Sequence, residues 1–205
     1  MPFISNGTTI LDNGAFSASL GSLVHIKTLT ASSSGTLSFV HGTAGVVLDS
    51  TYPIYKFVLI DMHPSSNNVQ LMHNGSIDSG SNYNVAKTNT LFEGEHGEAG
   101  GAGTLNYITG HDIANGTGNA KFTYNVGNDN DQSVTGEMLL FSPSSTTFVK
   151  HFITQVSNYH QADYEKNSYT SGFYDNASAL NAMQFSFSSG NMDSGEIKLY
   201  GIKDS

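Results

Sequence analysis

The strongest constraint on this chain is the spacing of apolar side chains over residues 182–203. Met183, Phe185 and Phe187 alternate with Gln184, Ser186 and Ser188, and beyond residues 188–195 Ile197 and Leu199 alternate with Glu196, Lys198 and Tyr200. A period of two sends successive side chains to opposite faces, so each run reads as a half-buried strand. Gly190, Asn191, Asp193 and Gly195 supply the turn chemistry between them, and the two strands are expected to form a hairpin. A hairpin alone has nothing to bury its apolar face against. The rest of the chain must therefore supply an opposing sheet, with Phe57, Leu59, Phe185, Phe187, Ile197 and Leu199 facing inward.

The remaining sequence carries the same pattern in short segments. Strands are expected at 8–11, 23–29, 37–40, 45–48, 69–73, 104–108, 120–126, 134–141 and 147–156. Residues 54–62, I-Y-K-F-V-L-I-D-M, are apolar on both faces and read as a central strand covered on both sides, bracketed by Pro53 and Pro64. Asn-Gly pairs at Asn6, Asn13, Asn74 and Asn115 mark tight turns. Residues 157–169 are the one helix candidate, although they have no clear apolar stripe. Many short strands without strand–helix–strand spacing predict an all-β fold, an antiparallel β-sandwich of jelly-roll-like type. Residues 1–20 are read as an amino-terminal arm and 21–205 as a single sandwich domain. Phe3, Ile4, Ile10, Leu11, Phe16 and Leu20 make the arm too apolar for a free tail and mark it as an interface.

Composition narrows the function classes. The net charge is -9 and all eight basic residues are lysine, so the arginine forks suited to phosphate are missing and nucleic-acid binding is disfavoured. Without cysteine there is neither a disulfide framework nor a thiolate site. No basic, apolar leader opens the sequence and no run approaches the ~20 apolar residues needed to cross a bilayer. Neither export by the general secretory route nor membrane insertion is expected. No G-x-S-x-G, H-E-x-x-H or P-loop pattern occurs, and neither catalysis nor a cofactor is expected.

Four groups of residues have the chemistry of a site. Glu93, Glu95 and Glu98 around His96 have metal-ligand or acid–base types, but on the Gly-rich stretch 93–103 they read as the solvated tip of a loop. Asp129 and Asp131, beside Asn128 and Asn130, offer oxygen ligands for a cation, and an Asx-rich turn has the same residues. His25 and His151 are expected to be satisfied structural imidazoles in strands. Finally Tyr159, His160, Tyr164, Tyr169 and Tyr174 crowd an amide-rich stretch. Such rings suit a host-surface glycan or a protein partner, or else they pack over the end of the sandwich.

Three segments carry a family resemblance: T-Y-P-I-Y-K-F at 51–57, F-S-P-S-S-T-T-F-V-K at 141–150 and I-K-L-Y-G-I-K at 197–203. In this order and spacing the chain resembles, from about residue 35 to 203, the β-sandwich domain of virion proteins of marine tailed phages, notably cyanophages. The resemblance implies a non-enzymatic particle-surface protein, made in the host cytoplasm, that contacts other virion proteins of capsid or tail. Long fibre proteins of that group carry an anchoring region before the sandwich, and here almost nothing precedes it. This favours a decoration, head-fibre or tail-accessory subunit. The resemblance also implies threefold self-association, so a homotrimer is expected; a carbohydrate-binding module using the Tyr-rich surface is the alternative.

Overall fold

The structure, a computed structural model, describes residues 22–101 and 103–203, together with the backbone of three short strands before them. Those three, β1 (Phe3–Ser5), β2 (Thr8–Asp12) and β3 (Ala15–Phe16), form an antiparallel sheet of their own. The expected interface side chains Phe3, Ile4, Ile10, Leu11, Phe16 and Leu20 lie outside the described residues. The following strands are β4 (Leu23–Thr30), β5 (Leu37–Val40), β6 (Ile54–Pro64), β7 (Leu71–Ser76) and β8 (Lys87–Gly97). Next come β9 (Thr104–Tyr107), β10 (Ile113–Gly116), β11 (Ala120–Lys121), β12 (Val134–Phe141) and β13 (Lys150–His160). The last are β14 (Tyr164–Tyr174), β15 (Ala182–Phe187) and β16 (Met192–Ile202).

These strands form an antiparallel sandwich. The larger sheet runs β10-β8-β14-β13-β12-β6-β16-β4, with β9 also on β8; the smaller runs β11-β7-β15-β5. From β4 to β8 successive strands change sheet each time. The two alternating runs around residue 190 do the same, which corrects the expected hairpin: β15 pairs with β5 and β7, whereas β16 pairs with β4 and β6. Alternation fixes which face is buried but leaves the pairing partner open. Facing one another from opposite sheets lets both apolar faces be buried at once.

The six residues expected inside are buried there, and the interior begins as an aromatic stack. Phe185 of β15 lies 5.2 Å from Phe57 of β6 and 6.1 Å from Phe39 of β5 between ring centroids. Strand β6 is central, as expected, but among the described residues only one of its faces is fully buried. Tyr55, Phe57 and Leu59 are fully buried, while Ile54, Lys56, Val58 and Ile60 are half-buried on the outer face. The helix candidate is absent: β13 and β14 pair along their whole length, His160 opposite Tyr164, with Asp163 at φ 62° in the turn. A stretch without an apolar stripe can still be a strand when its inner face is polar. Asn74-Gly75 is no turn but lies inside β7. The Asn74 amide donates to Thr117 O and Asn119 Oδ1, and a Cβ at residue 75 would come within 2.8 Å of Leu180. Residues 45–48 form no strand, although Val46 and Leu48 are buried.

Phe185→Ala removes a buried ring that meets Phe57 of the opposite sheet. It should cost about 3–5 kcal/mol in denaturant melts, with the unfolding slope unchanged.

Candidate functional site

The expected acidic loop is largely strand β8, and its first carboxylate is interior. Glu93 is fully buried because residues 87, 89, 91, 93 and 95 share the inner face of the pleat. The Lys166 ammonium of β14 lies 2.9 Å from Glu93 Oε1 and 3.2 Å from Glu95 Oε2. The Tyr124 hydroxyl donates to Glu93 Oε1 at 2.7 Å, and Lys166 also sits over the Tyr124 ring at 3.9 Å. Ser168 donates to Thr123 Oγ1, which donates to Asn158 Oδ1. Burial pulls the Lys166 ammonium down, but its bonds to Glu93 and Tyr124 outweigh this and hold it above the ordinary lysine value. For Glu95 burial is outweighed too, by Thr104 and Lys166, and its carboxyl titrates below the ordinary value. The arrangement is a buried ion-pair network in which Glu93 is met by Lys166 and Tyr124, while Nδ2 of Asn158 is buried without a partner.

The Tyr-rich set divides between core and surface. Tyr174 is a correction: it is fully buried, and its hydroxyl pairs with His73 Nδ1 at 2.8 Å. Its ring packs on Phe152, as the inner position of the last β14 residue requires. His160 is also interior, accepting the Ala162 N–H at Nδ1 and so closing the β13–β14 turn. Tyr159, Tyr164 and Tyr169 remain accessible. Tyr159 belongs to a pocket of about 450 Å³ on the outer face, lined by His96, Glu98, Ser157 and Glu165 among others. The Tyr159 hydroxyl donates to Glu98 Oε2 at 2.5 Å and is pushed up to about 12 by that bond. Ser157 Oγ donates to Glu165 Oε1 at 3.2 Å. Further along the same face Tyr169 stacks on Phe92, with centroids 5.1 Å apart and planes at 11°. Phe92 is 45% exposed and its cross-strand neighbour Tyr107 57% exposed. Phe92 and Tyr107 went unread in the sequence; the signal was there in L-F-E, where an outward ring precedes an inward carboxylate.

The opposite end of the larger sheet brings together the outer ends of residues 51–57, 141–150 and 197–203. Phe141 pairs with Ile54, and Ile54 with Ile202. Around them Ser50, Thr51, Tyr52, Pro53, Ser142, Ser144, Ser145 and Lys203 line a hydroxyl-rich hollow of about 660 Å³. Leu23 and Phe148, 47% and 73% exposed, lie in β4, which enters beside Ile202, and in the β12–β13 connection.

The cation candidates Asp129 and Asp131 are in the 127–132 turn, where the Asp129 N–H donates to Gln132 Oε1 and its carbonyl meets His63 Nε2 at 3.1 Å. Among the described residues no three His, Asp or Glu side chains gather as metal ligands would. His25 and His151 are exposed; the structural imidazole is His73. No family model, no curated protein and no solved structure matches the chain.

Two predictions follow from the interior. Lys166→Met leaves the Glu93 charge buried and unpaired and should cost about 3–5 kcal/mol, whereas the Lys166→Met, Glu93→Gln pair should recover much of the loss. Burial, together with the Lys87 charge, pushes His73 down from 6.5 to about 3; burial likewise pushes His111 down to about 4. Both bind protons more readily unfolded, so stability falls as pH drops below about 6.5, by up to about 1.4 kcal/mol per pH unit for each group. Denaturant midpoints measured from pH 7 to 4 check this, and a flat profile would contradict it.

Proposed function

We propose that the chain is a non-enzymatic subunit of a tailed-phage virion, a decoration, head-fibre or tail-accessory protein that self-associates as a trimer on the particle surface. The observation that carries this reading is the convergence of the three resemblance segments on one end of the larger sheet, beside exposed Phe148 and Leu23. Thr51, Tyr52, Ser142, Ser144, Ser145 and Lys203 of those segments line one hollow, while Tyr55, Phe57, Ile197 and Leu199 of the same segments are core. We read the strand-by-strand change of sheet from β4 to β8 as a jelly-roll-like arrangement. The end with the shared segments is the docking end, contacting neighbouring subunits or the particle. A second reading, a lectin-like carbohydrate-binding module, is favoured by the exposed Phe92–Tyr169 pair and the pocket at the other end of the sheet.

An electron-microscopy map of the particle should place the docking end against the virion. Purified full-length protein should scatter light as a trimer, and deletion of residues 1–20 should leave a folded monomer; a strictly monomeric full-length chain at high micromolar concentration would sink the assembly claim. Phe148→Ser should remove incorporation into particles while shifting stability by less than about 0.5 kcal/mol, since the ring is on the surface.

A further inference from the structure

We propose that the outer face of β8, β14 and β13 is a binding site for an extended, uncharged oligosaccharide. The inference deepens the lectin-like reading and is independent of the virion one. On β14 the outward side chains in succession are Glu165, Asn167 and Tyr169, and their register partners complete three rows. Tyr159 and His96 flank Glu165; Ser157 and Gly94 flank Asn167; Gln155 and Phe92 flank Tyr169. One end of the face is therefore a pocket and the other an aromatic ridge. The distance between them, four residues of strand, is about 14 Å.

Each row supplies a different element of sugar recognition. Phe92 and Tyr169, with Tyr107 beyond, offer apolar ring surface to the C–H groups of a pyranose. The Tyr169 hydroxyl already accepts from Gln155 Nε2 at 3.0 Å and Asn167 Nδ2 at 3.3 Å, so two amides are held at the foot of the ridge. In the middle row Gly94 leaves the floor open, since a Cβ there would meet nothing nearer than Thr104 O at 3.8 Å. At the pocket, Glu98 and Glu165 are acceptors for sugar hydroxyls, which bind carboxylates through strong charge-assisted bonds. Tyr159 is fixed in place by Glu98, and Glu98 is tied by its N–H to Asp163 O across the turn. The site is therefore formed before the ligand arrives, which lowers the ordering cost of binding. Its volume of about 450 Å³ is that of a small-ligand pocket.

Charge decides the class of sugar. No lysine lines the pocket, and the nearest ammonium, Lys166, is turned inward and held by Glu93 and Glu95. A uronate or sialate would bring its carboxylate against Glu98 and Glu165 with no cation to offset them, on a chain of net charge -9. Neutral hexose or N-acetylhexosamine chains meet no such penalty.

The test is heteronuclear NMR titration of the full-length protein with cellotriose, maltotriose, chitotriose and trigalacturonate. At least one neutral trisaccharide should bind with Kd near 1 mM or tighter and shift the amides of 92–98, 155–159 and 165–169. Glucose alone should bind at least tenfold more weakly, and trigalacturonate should not bind. Phe92→Ala and Tyr159→Ala should each weaken the neutral ligand at least about tenfold with unchanged melting temperature, because both side chains lie on the outer face. Binding that survives both substitutions would overturn this site while leaving the lectin-like reading intact. Preference for trigalacturonate would overturn the uncharged class. A glycan array with no binder at all would overturn the site and the lectin-like reading together.

Discussion

The contact on which the fold depends is the meeting of Phe57 with Phe185, one ring from each sheet, with Phe39 and Phe122 against them. Those rings set the separation of the two layers, yet the smaller sheet has four strands and cannot cover nine. Residues 117–126, of which β11 is the edge strand of the smaller sheet and the rest has little regular pairing, pack over β8, β14 and part of β13. Such a segment arrives with carbonyls that no ladder satisfies, and burying them bare would cost a few kcal/mol each. The inner face beneath it is polar for that reason. Lys87 donates to Gly118 O and Thr170 Oγ1 to Lys121 O, while Asn89 Nδ2 donates to His111 O in the turn before β10. Lys150 does the same for Asn176 O in the connection after β14.

The pleat turns this requirement inside out. Where the inner positions of β8 and β14 are Asn89, Glu93, Lys166, Ser168 and Thr170, the alternating positions Phe92 and Tyr169 face outward. Phe92 and Tyr169 are thus exposed as a consequence of the same alternation that buries Glu93, and Ile153 on β13 follows them at 50% exposure. On β6 and β16 the rule has its usual sense, with Phe57, Leu59, Ile197 and Leu199 inside. One sheet therefore has a conventional half and a half whose inner face is largely polar and whose outer face exposes Phe92 and Tyr107.

The same division explains what could be read in the sequence. Where apolar residues alternate, as in 182–203, strand and inner face were both legible; in 54–62 the strand was legible but its outer face was read as covered, and 134–141 was read only as a strand. Residues 87–97 and 157–169 hid their strands because the buried residues there are polar, and hydropathy ranks Glu93 or Lys166 as surface. Pairing was hidden for another reason. The runs that became β15 and β16 look like a hairpin because their separation is short, and only the need of both faces for cover sends them to opposite sheets. Of the candidate site, Tyr159 and Tyr169 were legible as clustered aromatics, whereas Tyr174 belonged to the core by its parity with Lys166, Ser168 and Thr170.

Sparse charge bears on association as well as on recognition. Among the described residues β4 ends the larger sheet with its far edge unpaired, and in those eight residues Lys27 is the only charge. An edge of this length with one gatekeeper is a template for strand addition unless something covers it. That strand lies at the end where Leu23 and Phe148 are exposed, beside the hollow lined by Tyr52, Ser142 and Lys203. The open edge and the proposed docking end therefore adjoin, while the pocket of Tyr159 and Glu98 is at the far end of the sheet. Assembly through the first would cover the edge and leave the second facing outward, which is the polarity a particle-borne binding protein needs.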